Sequence, residues 1–345
     1  MDSSAPDLAL RPTAVARTSF VAPPVALAHE VARHDLVRAR RAGDVLRVRR
    51  GAYVSADLDG PGQVLAEARA RAALAAARRR LTTPFWFSHA SAALVWGCVV
   101  WPAPTATHVV QEHRPGGRGG ERLTLVRHHR DVPLPERARV DGMPVTSLER
   151  TVVDCARTFR PGAALALVDS ALRLGARREV VAHLLAAPGA RGIRQARLVW
   201  ERADPRSESP GESMVRWILH DGGYPPTALQ VPVATSIGVF YPDLCWPELK
   251  VCVEFDGAGK YGTGDDAVVA RLDEERRQRA LEEAGWTVVR LVWADLAEPD
   301  GVIARVRAEL TSATRRRRAP RTLTEVAGSV HHATPHGVLN QRPRR

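Results

Sequence analysis

The stretch from Val239 to Gly257 restricts the fold more than any other part of the chain. It reads as two strand-length runs, Val239–Cys245 and Lys250–Phe255, separated by turn formers at Trp246–Leu249. Side chains alternate along a strand, so Val239, Tyr241, Asp243 and Cys245 share one side of the first run. Lys250, Cys252, Glu254 and Asp256 share one side of the second. With Cys245 opposite Lys250, Asp243 faces Cys252 and Glu254 lies diagonal to it. Slipped by one residue on each side, the same hairpin puts Asp243 directly opposite Glu254. In both registers these two acids stand roughly 5–8 Å apart, with Asp256 on the same face.

Gathering Asp243, Glu254 and Asp256 on one sheet face is costly unless a cation balances them. Hard oxygen ligands suit Mg²⁺ or Mn²⁺, so these three are the predicted metal ligands. Lys260 follows Asp256-Gly257-Ala258-Gly259 and is placed to orient a water or stabilise developing charge. Glu212 has two open readings. Ser209-Pro210-Gly211-Glu212 is a capping box with Pro at the first helical position, and a helix-borne Glu beside a sheet site is also an outer metal ligand. A plainer alternative ends the strand in an Asp256-Gly257 turn and pairs Glu254 with an arginine.

The 345 residues suit two or three domains, and 45% hydrophobic content supports true cores. No run approaches 18 uninterrupted apolar residues, and the N-terminus lacks a secretory pattern. Cys98, Cys155, Cys245 and Cys252 form no CxxC pair, which favours a reduced, cytoplasmic setting over a zinc ribbon. Of the net charge of +12, residues 312–345 carry +7, from eight arginines and one acid. That tail reads as disordered and able to hold polyanions without sequence specificity. Arginine outnumbers lysine 48 to two, so Lys250 and Lys260 stand out as retained amines.

The chain divides into a loose N-terminus (1–24), a basic segment (25–56), a mostly helical α+β region (57–203), an α/β unit (204–311) and the tail (312–345). In the basic segment a helix over 34–42, ending at Gly43, precedes the alternating run Val45–Val54, the layout of a winged helix-turn-helix. Arg38, Arg40, Arg41, Arg47, Arg49 and Arg50 are its candidate nucleic-acid contacts. Helices are predicted at 62–81, from Ser88, from Thr146 or Ser147, and over 162–174, 177–186 and 193–202. Arg150 and Asp154 fall four apart on one of them. The loop RPGGRGGE lacks the GK[ST] ending of a phosphate cradle. His128 and His129 are adjacent in a strand and point to opposite faces, which argues against shared ligation. The main boundary falls at the polar segment 202–213.

Pro242-Asp243 followed by Glu248-Leu249-Lys250 matches PD…ExK literally, but Glu248 falls in the turn and is read as an exposed turn acid. The ordered set Ser209-Pro210-x-Glu212-Ser213, Asp243, Glu254-x-Asp256-Gly257 and Gly285-Trp286-x-Val288-Val289-Arg290 resembles the very-short-patch-repair-like endonuclease domain of the PD-(D/E)XK superfamily. The resemblance covers about residues 205–311 and implies an α/β, restriction-endonuclease-like mixed-sheet domain that cuts DNA with Mg²⁺. It makes Asp243 and Glu254 metal ligands and Glu212 the helix acid. Asp256 stands where the signature has its lysine, which leaves that role to Lys260. RRGAYV, SHASAALVWG and MPVTSLERTVVDCAR resemble the winged-helix-like segment and following domain of AbiE-type antitoxins of type IV toxin–antitoxin systems. That likeness implies operator DNA binding and a cognate toxin partner, and it frames the alternative of a non-catalytic regulator.

Overall fold

The computed structural model describes residues 17–318, apart from 59, 61, 114–123, 189 and 258–264 and the side chains of 265–271. Lys260 and the RPGGRGGE loop therefore lie outside the described residues, as does the tail beyond 318. The chain begins β1 (Ala26–Leu27), α1 (Arg33–Ala42), β2 (Val45–Arg49), β3 (Ala52–Ser55) and α2 (Gly62–Arg80). A second group follows: β4 (Trp86–Phe87), α3 (His89–Trp96), β5 (Thr107–Gln111), β6 (Leu125–His129), β7 (Arg137–Val140) and β8 (Met143–Thr146). Four helices come next, α4 (Leu148–Thr158), α5 (Pro161–Arg173), α6 (Arg178–Ala186) and α7 (Ile193–Glu201). The last group is α8 (Pro210–Asp221), β9 (Ala228–Leu229), β10 (Val233–Thr235), β11 (Gly238–Phe240), β12 (Leu244–Trp246), β13 (Val251–Asp256), α9 (Asp265–Glu283), β14 (Thr287–Val292) and α10 (Pro299–Arg318).

The fold is mixed α/β. Its strands form sheets ordered β1-β3-β2, β6-β5-β4-β8-β7, β10-β11 and β14-β13-β12-β9. A large apolar core joins the five-stranded sheet to α3–α7, and a second, around Leu244, Val253, Phe255 and Leu291, lies under the four-stranded sheet. Local signals place most helices well: Gly43 ends α1 in the left-handed region at φ 82, and Ser147 caps α4 through its hydroxyl.

Several expectations are corrected. The run Val239–Cys245 is two strands, because Pro242 has no N–H to give to a ladder and the chain breaks at 241–243. Just upstream, β9 and β10 are separated at Gln230 (φ 51) and Pro232. Cys245 pairs with Cys252 and Leu244 with Val253, the slipped register, which brings Asp243 level with Glu254. Lys250 leaves the strand face altogether. It takes φ 51 after the 3-10 turn Pro247–Leu249, and its Nζ donates to the Ala284 carbonyl, near the end of α9. The N-terminal stretch is tied down where it is described: Arg17 pairs with Asp141 at 2.8 Å. Residues 312–318 continue α10 instead of starting a tail, and Arg315–Arg318 sit where a helix C-terminus favours cations.

The polar segment at 202–213 is a packed seam. Asp169 of α5 and Arg216 of α8 form an ion pair with both side chains almost fully buried. Ser213 Oγ donates to Asp169 at 2.6 Å, and the Asp204 amide adds a bond of 2.8 Å. Trp101 stacks on Trp293 across the same seam at 4.2 Å. Removing one partner of such a pair strands a buried charge. Asp169→Ala is expected to cost about 3–5 kcal/mol in urea unfolding, and Asp169→Leu with Arg216→Met markedly less.

Candidate metal and nucleic-acid site

Asp243 stands one residue ahead of β12 and turns its carboxylate across β13. Its Oδ2 accepts from the Phe255 amide at 2.8 Å and its Oδ1 from the Gln230 side chain at 3.1 Å. Glu254 sits in mid-β13, only 5% exposed. Glu212 is also buried, in the first turn of α8. There Ser209 Oγ accepts from the Glu212 amide at 3.2 Å, and Glu212 Oε2 accepts from the Glu208 amide at 2.8 Å. The capping reading of Glu212 is thus met, with the returning bond one residue earlier than in a standard box. Gly211 explains how the helix comes so near: a Cβ there would lie 1.9 Å from the Phe255 ring.

Glu212, Gln230, Asp243, Phe255, Gly257 and Arg277 line a cavity of about 300 Å³. Burial, reinforced by the charges of Glu212 and Glu254, pushes Asp243 well above the ordinary carboxylate range. Burial also raises Glu212, against the hydrogen bonds it accepts and with the Glu208 charge adding to it. Arg277 of α9 places Nη2 2.6 Å from Glu254 Oε1 without hydrogen-bond alignment, so that buried oxygen accepts no hydrogen bond.

Asp256 takes a different direction. Arg290, level with Glu254 on the parallel neighbour β14, donates to Asp256 Oδ2 at 3.0 Å and reaches Glu254 Oε2 at 3.5 Å. Glu254 therefore does pair with arginines, as the plainer reading had it, while Asp243 and Glu212 face the cavity. The carboxylates are also spread: the described trio of ligand-type side chains whose atoms lie within 4.8 Å of one another is made of histidines, not acids. Glu248 lies in the 3-10 turn, where Thr227 Oγ1 donates to it. Arg277 and Gln230 were not singled out from sequence, and Arg290 was named only as the end of the Gly285–Arg290 motif run, although the strand alternation of WTVVRLVW could reveal a polar residue beside Glu254.

The chemistry of the donor set fits a hard divalent cation. Glu254 Oε1 is buried and accepts no hydrogen bond beyond its ion pair with Arg277, and Asp243 holds its charge at a penalty that a cation would remove. In the basic segment Arg38, Arg40, Arg41, Arg47 and Arg50 are exposed. Arg49 is the exception. A bulge between Arg47 and Arg49 reverses the alternation and turns its side chain inward to 4% exposure, out of reach of a phosphate.

No family model matches the chain. It is similar to two curated proteins from strains of Mycobacterium tuberculosis, the uncharacterized proteins MT2308 and Rv2248, each 34% identical over 179 residues. The match covers 51% of this chain and 65% of each relative. A solved structure, the RV2827C protein from Mycobacterium tuberculosis, aligns over 56% of this chain and 75% of its own with 14% identity and a TM-score of 0.34, a likeness that carries no argument.

Because the folded chain holds the Asp243 proton more tightly than the unfolded one, stability falls as pH climbs above the usual carboxylate value. The slope is at most about 1.4 kcal/mol per pH unit until the folded pKa is passed. Asp243→Asn is expected to flatten this slope and to unfold at a higher temperature than wild type in mildly alkaline EDTA buffer. Mn²⁺ then raises the wild-type transition and not the variant's. Equal pH slopes for the two proteins contradict the assignment.

Proposed function

We propose that this chain is a metal-dependent DNA endonuclease or nickase, acting on phosphodiester bonds at the cavity between α8 and β13. The observation that carries the reading is that buried Glu212 and half-buried Asp243 line one cavity, with Glu254 buried level with Asp243 and its Oε1 met by the Arg277 ion pair without a hydrogen bond. Asp243 and Glu254 would hold Mg²⁺ or Mn²⁺, with Glu212 as the outer acid. Asp256, held by Arg290, contributes to that charge from the strand end. Bound there, the ion supplies Lewis-acid polarisation of a phosphoryl oxygen and a more acidic water. The chain's own residues do the positioning. The Phe255 amide and Gln230 fix the Asp243 carboxylate, and Arg277 balances Glu254. Lys260 is assigned to orienting the attacking water.

The helix-borne Glu212, the antiparallel β12–β13 pair and the parallel β13–β14 pair support a restriction-endonuclease-like core of the very-short-patch-repair-like kind. The exposed arginines of α1 and the β2–β3 hairpin support a winged-helix-like DNA contact, with affinity drawn from phosphates. A second reading, a non-catalytic DNA-binding regulator of the AbiE antitoxin type with a cognate toxin partner, is favoured by one observation. Arg277 and Arg290 already neutralise Glu254 and Asp256.

A plasmid-nicking assay separates the two. With Mg²⁺ or Mn²⁺ the wild-type chain is expected to relax supercoiled plasmid, with activity lost in EDTA. Asp243→Ala and Glu254→Ala each lower the rate on the order of 100-fold or more. Undiminished nicking by Asp243→Ala overturns the site, whereas duplex binding with no cleavage in either metal selects the regulator.

A further inference from the structure

We propose that His89, His108 and His128 form a zinc-binding site in the five-stranded sheet region, separate from the carboxylate cavity. The three come from different elements: His89 opens α3, His108 lies in β5 and His128 in β6. β5 and β6 run parallel with Val110 opposite His128, so His108 and His128 sit diagonally on one sheet face. Their facing nitrogens, His108 Nδ1 and His128 Nε2, are 3.1 Å apart. His89 is held at φ 49, an unusual backbone for a side chain of this size, and its ring stacks on His128 at 4.0 Å. One nitrogen from each ring lies within 4.8 Å of the other two.

The chemistry suits a borderline metal. No carboxylate bonds any of the three rings among the described residues, so nothing there draws a proton onto them. Burial, reinforced by the neighbouring rings, lowers His89 to about 2 and His128 to about 4, and burial lowers His108 as well. Neutral imidazoles at physiological pH offer the lone pairs that Zn²⁺ requires. Burying three polar rings against one another is a poor choice for packing alone, since apolar side chains fill such a space at lower cost. Zinc–nitrogen bonds of about 2.0–2.1 Å set tetrahedral edges near 3.4 Å, and the His108–His128 contact is already close to one such edge.

Ser88 Oγ lies 3.1 Å from His89 Nδ1, which leaves Nε2 for the ion. An ion lies in the plane of each ligand ring. The nearly parallel His89 and His128 rings, 15° apart, must therefore unstack on binding by rotation of His89. His108 and His128 are only partly buried, which suits a three-histidine zinc site that keeps water as its fourth ligand.

The test uses the untagged full-length chain in which His331, His332 and His336 of the HHATPH run are replaced by Ala, so that these do not bind the probe. Titration with Zn²⁺, and with Co²⁺ as an optical probe, in saturating Mg²⁺ that occupies the carboxylate cavity, is expected to show one ion per chain and the visible bands of a tetrahedral cobalt site. His108→Gln and His128→Gln, checked for folding by circular dichroism, each weaken Zn²⁺ binding roughly 100-fold or more. Asp243→Asn leaves that binding unchanged. In wild type, the imidazole ¹H–¹⁵N resonances of His89, His108 and His128 shift together on Zn²⁺ addition, a readout independent of any variant's folding. Absence of saturable Zn²⁺ binding, unchanged affinity in both Gln variants, loss of binding in Asp243→Asn or unmoved histidine resonances each overturn the proposal.

Discussion

Two carboxylates facing one cavity, with a third buried beside them, impose a charge problem that the surrounding fold answers only in part. Glu212, Asp243 and Glu254 are placed by the cap of α8, by the β12–β13 register and by the absence of a side chain at Gly211. Burial and the neighbouring acids favour the proton on Asp243, and burial favours it on Glu212. Arg277 supplies one positive charge, yet its Nε finds no acceptor and its contact with Glu254 lacks hydrogen-bond alignment. A buried acid satisfied this loosely by arginine is suited to exchange that partner for a cation with stricter demands on oxygen.

Helix α8 links this cavity to the rest of the chain. Its first turn carries Glu212, while Ser213 and Arg216 engage Asp169 of α5 from the same helix. A second path runs through aromatic contacts: Trp101 stacks on Trp293, which meets Phe255 edge-on at 5.2 Å, and the Phe255 amide holds Asp243. Both routes fix the acids by packing against the large middle core. The site depends on that core for its geometry, even though its residues belong to a different sheet.

Much of this was legible in the sequence, and the divisions follow the range of the interactions. Helix ends read correctly where a local residue decides them, as Gly43 does for α1 and Ser209 for α8. The hairpin left two registers open because the turn decides between them. Lys250, turning left-handed after Pro247–Leu249, selects the one that sets Asp243 beside Glu254. The bulge that buries Arg49 had no sequence signal, since the alternation of Val45–Val54 looks regular. Nor could spacing show that His89, His108 and His128 meet, because they converge only through the pairing of β5 with β6 and the seat of α3 on the sheet. Asp256 looked equivalent to Glu254 on a bare strand and is held instead by Arg290, a residue of the neighbouring strand.

The most direct measurement is an anomalous difference map from crystals soaked in Mn²⁺. The account predicts a peak at about 2.1–2.2 Å from carboxylate oxygens of both Asp243 and Glu254, with Arg277 withdrawn from Glu254. A saturating soak that leaves this cavity without a peak, and Arg277 still seated on Glu254, contradicts it.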